Sequence, residues 1–253
     1  MPIHYARRLV GRKRTPDANR HLGFVLAFVA GAINAGGFLA VQQYTSHMTG
    51  IVSSMADNLV LGAYELVLNG AGGLLSFLLG AICSAIMVNY SRRRRRHAEF
   101  AMPLLLEAFL LLCFGLLGSR LADVEGLFVP VTVMLLCFIM GLQNALITKL
   151  SKAEIRTTHI TGIVTDIGIE LGKLLYWNRS PVPEKLRVAV NKARLLVLAV
   201  LALSFFCGGV SGAFGFKYLG YIATLPLALV LVTLAIVPAL DDLVLMWRRW
   251  RRR

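Results

Sequence analysis

The chain has 253 residues, of which 57% are hydrophobic and 16% charged, with a formal net charge of +14. Soluble domains carry about 25% charged and about 45–50% apolar residues, so this composition excludes an ordinary water-soluble domain. Lys and Arg sit in short hydrophilic stretches between apolar runs, a pattern that orients membrane helices rather than a nucleic-acid footprint.

Residues 1–21 form a basic tail with Arg7, Arg8, Arg12, Lys13, Arg14 and Arg20. The run after it, 22–42, is longer than the core of a signal peptide and lacks a small-residue cleavage site. It is predicted to remain as a first membrane helix. Further runs at 70–90, 101–119, 126–148, 193–215 and 218–240 are also long enough to cross a bilayer. Two segments, 45–67 and 157–177, are mixed. The first contains Ser53, Ser54, Asp57, Asn58 and Glu65, the second Thr165, Asp166, Glu170 and Lys173.

Charge decides what the mixed segments do. If the six apolar runs cross and the N-terminus is cytoplasmic, 24 of the 27 Lys and Arg fall on the cytoplasmic side. If the mixed segments crossed as well, the arginine run 92–96 and the group Lys149, Lys152 and Arg156 would lie outside, against the positive-inside bias. The mixed segments are therefore expected to enter and leave on one face, or to lie flat at the interface as amphipathic helices.

Each mixed segment opens on the same phrase. "TSHMTGIVS" at 45–53 returns as "TTHITGIVT" at 157–165, and "GAIN" at 31–34 precedes the first as "GLQN" at 141–144 precedes the second. With the topology above, the two copies run in opposite directions. The expected fold is an all-α polytopic membrane protein with six transmembrane helices and two half-helices, arranged as an inverted repeat with both termini cytoplasmic. Repeat 1 covers 22–120, repeat 2 covers 121–240, and 241–253 is a second basic tail, ending "MWRRWRRR", suited to anionic lipid.

The repeated residues are the candidate site. Thr49–Gly50 and Thr161–Gly162 are expected where each half-helix begins, with the threonine as cap and the glycine allowing close approach. A helix start offers unpaired N–H groups and about half a positive charge, which suits a polar or anionic solute. His47 and His159 add a donor, an acceptor or a charge near neutral pH. Asp166 lies seven residues after His159 on the same face, and Glu170 continues it, so His159 and Asp166 are the candidates for proton coupling. Asn34 and Asn144 sit in apolar helices, where asparagine either bonds across a helix interface or meets solute. Glu107 is a lone carboxylate in "AMPLLLEAFLLLCFGLLG", with no counterpart in the other copy.

Cys83, Cys113, Cys137 and Cys207 all fall in apolar runs without CxxC spacing and read as small hydrophobes. No haem attachment motif, metal-ligand spacing, GxSxG, HExxH or P-loop occurs, so neither a cofactor, a metal nor an enzyme is expected.

Four stretches carry a family resemblance: "AGAINAGGFLA", "TSHMTGIVS", "GLQNALITKL" and "TTHITGIVTDIG". Over roughly residues 20–240 the chain resembles the YoaK family, bacterial inner-membrane proteins classed as a domain of unknown function. The resemblance implies a bacterial inner-membrane location and brings no assigned activity. From the residues, the expected function is a small secondary transporter or channel for a polar or anionic solute, with its site at the midplane between the two His-x-Thr-Gly starts and a homodimer as the expected assembly. The alternative is a non-transporting scaffold or sensor that binds lipids or proteins through its basic segments.

Overall fold

A computed structural model describes residues 15–94, 98–121, 128–151, 157–177 and 187–250. Most of the N-terminal tail, together with Arg95, Arg96, Lys152, Arg156, Arg179 and Lys185, lies outside the described residues. No strand occurs among the described residues.

Helix α1 (Pro16–Val41) starts where the Thr15 side chain accepts from the Ala18 N–H at 3.2 Å, an ordinary N-cap. It stops at Gln42, whose φ of 55° turns the chain out of the helix. Helix α2 (Met48–Val60) follows, and Gly62 at φ 74° makes the turn into α3 (Tyr64–Arg93). Then come α4 (Ala101–Leu121), α5 (Phe128–Ser151), α6 (Ile160–Leu175), α7 (Lys192–Leu219) and α8 (Thr224–Trp250). A 3-10 turn, Gly220–Ala223, separates α7 from α8.

Four stretches are long and apolar enough to cross a membrane: Asp17–Val41, Tyr64–Arg93, Pro130–Ser151 and Lys192–Leu240. The last comprises α7 and most of α8. Ala101–Leu116 is a shorter apolar stretch. The 13 residues of α2 and 16 of α6 span only about 20 and 24 Å, less than a bilayer core of about 30 Å. The chain is therefore a helical polytopic membrane protein. Residues 64–67 belong to α3, although the sequence groups them with the first mixed segment. The Gly62 turn ends α2 early, and Glu65 sits in the first turn of α3, where a carboxylate suits the helix dipole.

Glycine sets the packing. A Cβ on Gly31 of α1 would overlap the Phe205 carbonyl of α7, and one on Gly208 of α7 would overlap the Phe28 carbonyl of α1. The same pair recurs between α5 and α3: Gly141 lies against Phe77, and Gly80 against Phe138. In both pairs, α1 with α7 and α3 with α5, residue numbers rise together along the contact, so the helices are parallel. Such backbone approach replaces the hydrophobic drive that lipid removes. Across the middle, Gln143 of α5 donates to the Leu26 carbonyl of α1 at 3.2 Å, while Gly37 faces Leu136, so α1 and α5 are antiparallel. Burial along 21–37 repeats position for position along 131–147, so the two helices are used alike.

These directions put the starts of α1 and α7 and the ends of α3 and α5 at one end of the bundle. Arg20, Arg92, Arg93, Lys149, Lys192 and Arg194 therefore gather there. Arg92 donates to the Lys149 carbonyl at 3.5 Å, and Lys149 donates to Asn89 at 2.8 Å.

Not every glycine is structural. Gly172 of α6 has open space around its Cβ position. Gly208→Val is expected to lower stability in detergent by about 1–3 kcal/mol, because the added carbons meet backbone. Gly172→Ala is expected to raise it by up to about 1 kcal/mol through helix propensity. Thermal unfolding followed by scanning fluorimetry checks both, and equal shifts would contradict this packing.

Candidate functional site

Each half-helix begins with a chain that turns back along the helix it has just left. After α1 ends, Ser46 donates to the Asn34 side-chain oxygen twice, from its N–H at 3.2 Å and its hydroxyl at 2.9 Å. After α5 ends, the Thr158 hydroxyl donates to the Asn144 side-chain oxygen at 2.6 Å. Asn34 and Asn144 each lie seven residues before the helix end, about 10 Å inside it. The returning segment is thus pinned well below the helix end in both halves. The side-chain oxygens of Asn34 and Asn144 are both engaged in this task. Asn144 further donates to the Met140 carbonyl at 2.9 Å.

The residue before each pinned position, Thr45 or Thr157, is fully buried, and one residue after it stands a histidine. His47 and His159 are the N-caps of α2 and α6: their carbonyls accept from Ile51 and Ile163, each at 3.1 Å. This corrects the expected cap. Thr49 and Thr161 lie in the first turn, exposed, and leave the cap position to histidine. The imidazole makes no cap hydrogen bond. It folds over the first turn instead, where a Cβ on Gly50 or Gly162 would overlap the ring of His47 or His159. The His-x-Thr-Gly spacing therefore has a steric cause. Glycine three residues on leaves room for the ring, and Ile51 and Ile163, each 4% exposed, hold the half-helix on the bundle.

The two halves then differ. Along α2, His47, Gly50, Ser54 and Asn58 share one face, which lines a cavity of about 490 Å³. Its other walls come from the α1 end (Phe38 to Tyr44), from α3 with Asn69, and from Pro130 and Val133 of α5. It lies at the end of the bundle away from the clustered basic residues. Along α6, Asp166 and Glu170 stand where Ser54 and Asn58 do, at the basic end. Asp166 meets Arg194 of α7 at 3.0 Å, with both side chains about half exposed. Glu170 is buried, bonded to Lys173 at 2.8 Å and accepting the Asn191 N–H at 2.8 Å. Extending the Gly80–Gly208 match along the helices puts Leu66 of α3 at the place of Arg194, and Leu66 lines the open cavity.

Within each half the structure brings together the asparagine, the histidine and the glycine expected from the repeat. It does not bring the two half-helices to one another. Among the described residues α2 packs on α3 and α6 on α7, and the two half-helices do not pack together. Asp166 faces Arg194, and no hydrogen bond joins it to His159. Gln42, Gln43, Tyr44 and Asn69 are cavity residues that the repeat does not mark. Ser54 and Asn58 were legible, at seven and eleven residues after His47 on one helical face. Glu107 is fully buried on α4, and neither carboxylate oxygen has a hydrogen-bond partner among the described residues.

Lys173 first, and then the Asn191 N–H, hold the Glu170 carboxyl below its ordinary value. A carboxylate held low in the folded state adds stability above its unfolded value of about 4.3. That contribution is lost as pH falls through the lower folded value. Wild type is therefore expected to exceed Glu170→Gln in stability at about pH 6 and to lose that advantage below about pH 4. Unfolding midpoints across that range check it, and a difference independent of pH would contradict it.

Residues 22–237 match the model of the family described as "Protein of unknown function (DUF1275)". The chain is 26% identical over 186 residues to the UPF0700 transmembrane protein YoaK of Bacillus subtilis (strain 168), covering 73% of this chain and 78% of that relative. No solved structure matches it. With the helices, the pinned half-helices and the family match over most of its length, the chain belongs to the DUF1275 family of membrane proteins.

Proposed function

We propose that the protein is a small secondary transporter of the bacterial inner membrane, built as an inverted repeat with six crossing helices, two re-entrant half-helices and both termini in the cytoplasm. The observation that carries the proposal is the cavity on the His47 face of α2. A dead-end scaffold has no need of a cleft lined by a helix that stops halfway. The antiparallel relation of α1 to α5 and the reciprocal glycine pairs support the inverted repeat. The basic end supports the orientation. Re-entry is preferred to an interfacial position because Asn34 and Asn144 hold each chain about 10 Å inside its helix.

On this basis the structure is open to the outside at the first half and shut toward the cytoplasm at the second. The matching surface on α6 is closed by Asp166–Arg194 and by Glu170 with Lys173 and Asn191. Transport then exchanges these states. α6 leaves α7, the second face opens to the cytoplasm, and the first cavity closes. Proton uptake at Asp166, with His159 beside the half-helix start, follows the withdrawal of Arg194. The scaffold or sensor reading draws on one observation, the separation of α2 from α6. Exchange between two separate faces answers it, because the faces need not meet.

A half-exposed ion pair contributes about 0.2–1 kcal/mol. Arg194→Ala is therefore expected to shift the balance toward the cytoplasm-open state by up to about fivefold. The readout is the reaction of a cysteine at Ser54, in a background free of other cysteines, with an impermeant maleimide added outside. Labelling is expected to slow when Arg194→Ala is introduced. Unchanged labelling would count against alternating access and favour the scaffold.

A further inference from the structure

We infer that the cavity on the His47 face takes an uncharged solute bearing several hydroxyl groups, of the polyol or monosaccharide class. The inference deepens the transport reading and rests on it for why the cavity exists.

The first ground is charge. Among the described residues no Lys, Arg, Asp or Glu lines the cavity. An ion that leaves water for a site within a membrane protein needs a counter-charge, or it loses several kcal/mol of hydration uncompensated. Among the described lining residues, the start of α2 and the His47 imidazole beside it are the features available to an anion. The His47 ring lies over that first turn against Gly50. For a cation there is no carboxylate among the described lining residues. The second half makes the contrast. There the matching positions carry Asp166 and Glu170, and both are spent on Arg194, Lys173 and the Asn191 N–H. Among the described residues, charge is kept on the closed face and is absent from the lining of the open one.

The second ground is the kind of polar group present. Gln42, Gln43, Asn58 and Asn69 bring four side-chain amides, and Ser54 and Tyr44 bring hydroxyls. Each amide has both donors and an acceptor, and each hydroxyl both donates and accepts. A hydroxyl-rich solute matches this lining, because its own groups also do both. Asn58 donates to Ser54 at 3.1 Å, which orients the pair along α2.

The third ground is the apolar wall. Phe38 and Tyr44 stack with centroids 4.5 Å apart and planes 18° apart. Both line the cavity. A flat aromatic surface beside amides suits a molecule with C–H faces between its hydroxyls. The volume of about 490 Å³ falls in the range of about 300–1,000 Å³ used by small-molecule sites.

The test is equilibrium dialysis of the purified full-length protein in nanodiscs against labelled glycerol, myo-inositol and glucose. Acetate, phosphate, glycine and tetramethylammonium are run in parallel. Saturable binding is expected for at least one of the three neutral solutes and for none of the ions. Asn69→Leu and Asn58→Leu are each expected to weaken it about tenfold, the loss of about 1.4 kcal/mol of hydrogen bonding. Gly172→Ala, far from the cavity, is expected to leave it unchanged, and its retained binding shows that substitution as such is not the cause. Binding of an ion without any neutral solute, no binding of any neutral solute, or binding indifferent to both asparagine variants would overturn the inference. Flux into proteoliposomes is measured separately. A neutral solute that binds without crossing upholds the inference and sinks the transport reading, whereas ion flux without neutral binding does the reverse.

Discussion

A half-buried side-chain amide within a helix takes hold of the chain that has just left that helix. Asn34 does this with Ser46, and Asn144 does it with Thr158. A polar backbone at membrane depth is tolerated only where protein or water satisfies it. The amide supplies that satisfaction here, and the chain turns back along the helix it has left. Everything downstream inherits the geometry. The histidine lands at the half-helix start, the glycine three residues on makes room for its ring, and the half-helix runs back toward the end it came from.

The second constraint is the glycine contact between α1 and α7 and between α3 and α5. Lipid offers no hydrophobic drive for helices to associate, so close backbone approach must supply it. On the inverted-repeat reading, because Gly31 and Gly208 do for one pair what Gly141 and Gly80 do for the other, each copy's first helix is bound to the other copy's second full helix. The two copies are thereby interlocked rather than side by side. A movement of α6 against α7 or α2 against α3 leaves this frame untouched, which lets the half-helices be the moving parts on the transport reading.

Much of this was written plainly in the chain. The repeated phrase located both half-helices, and the grouping of arginines separated six long runs from two mixed ones. The cap was harder. Threonine is a better N-cap than histidine by propensity, yet packing of the imidazole over Gly50 and Gly162 moved the start upstream. The role of the two asparagines was ambiguous for a similar reason: an interior amide can face a neighbour, a solute or its own chain, and periodicity does not say which. The cavity residues Gln42, Gln43 and Asn69 lie on a helix end and on the next full helix, so their convergence is a tertiary fact. Arg194 is 28 positions from Asp166, and their pairing needed the register of α7 against α6.

The central claim is that α2 and α6 enter and leave by the same face, and from opposite sides. Single cysteines at Gln43 and Leu61 flank α2, while Arg94 and Trp177 mark the other end of the bundle. Reaction with an impermeant maleimide in right-side-out and inverted vesicles, with the native cysteines removed, reads their sides. Gln43→Cys and Leu61→Cys are expected to react only from outside, and Arg94→Cys and Trp177→Cys only from the cytoplasmic side. Reaction of Gln43→Cys and Leu61→Cys from opposite sides would mean that α2 crosses, and the account would fail.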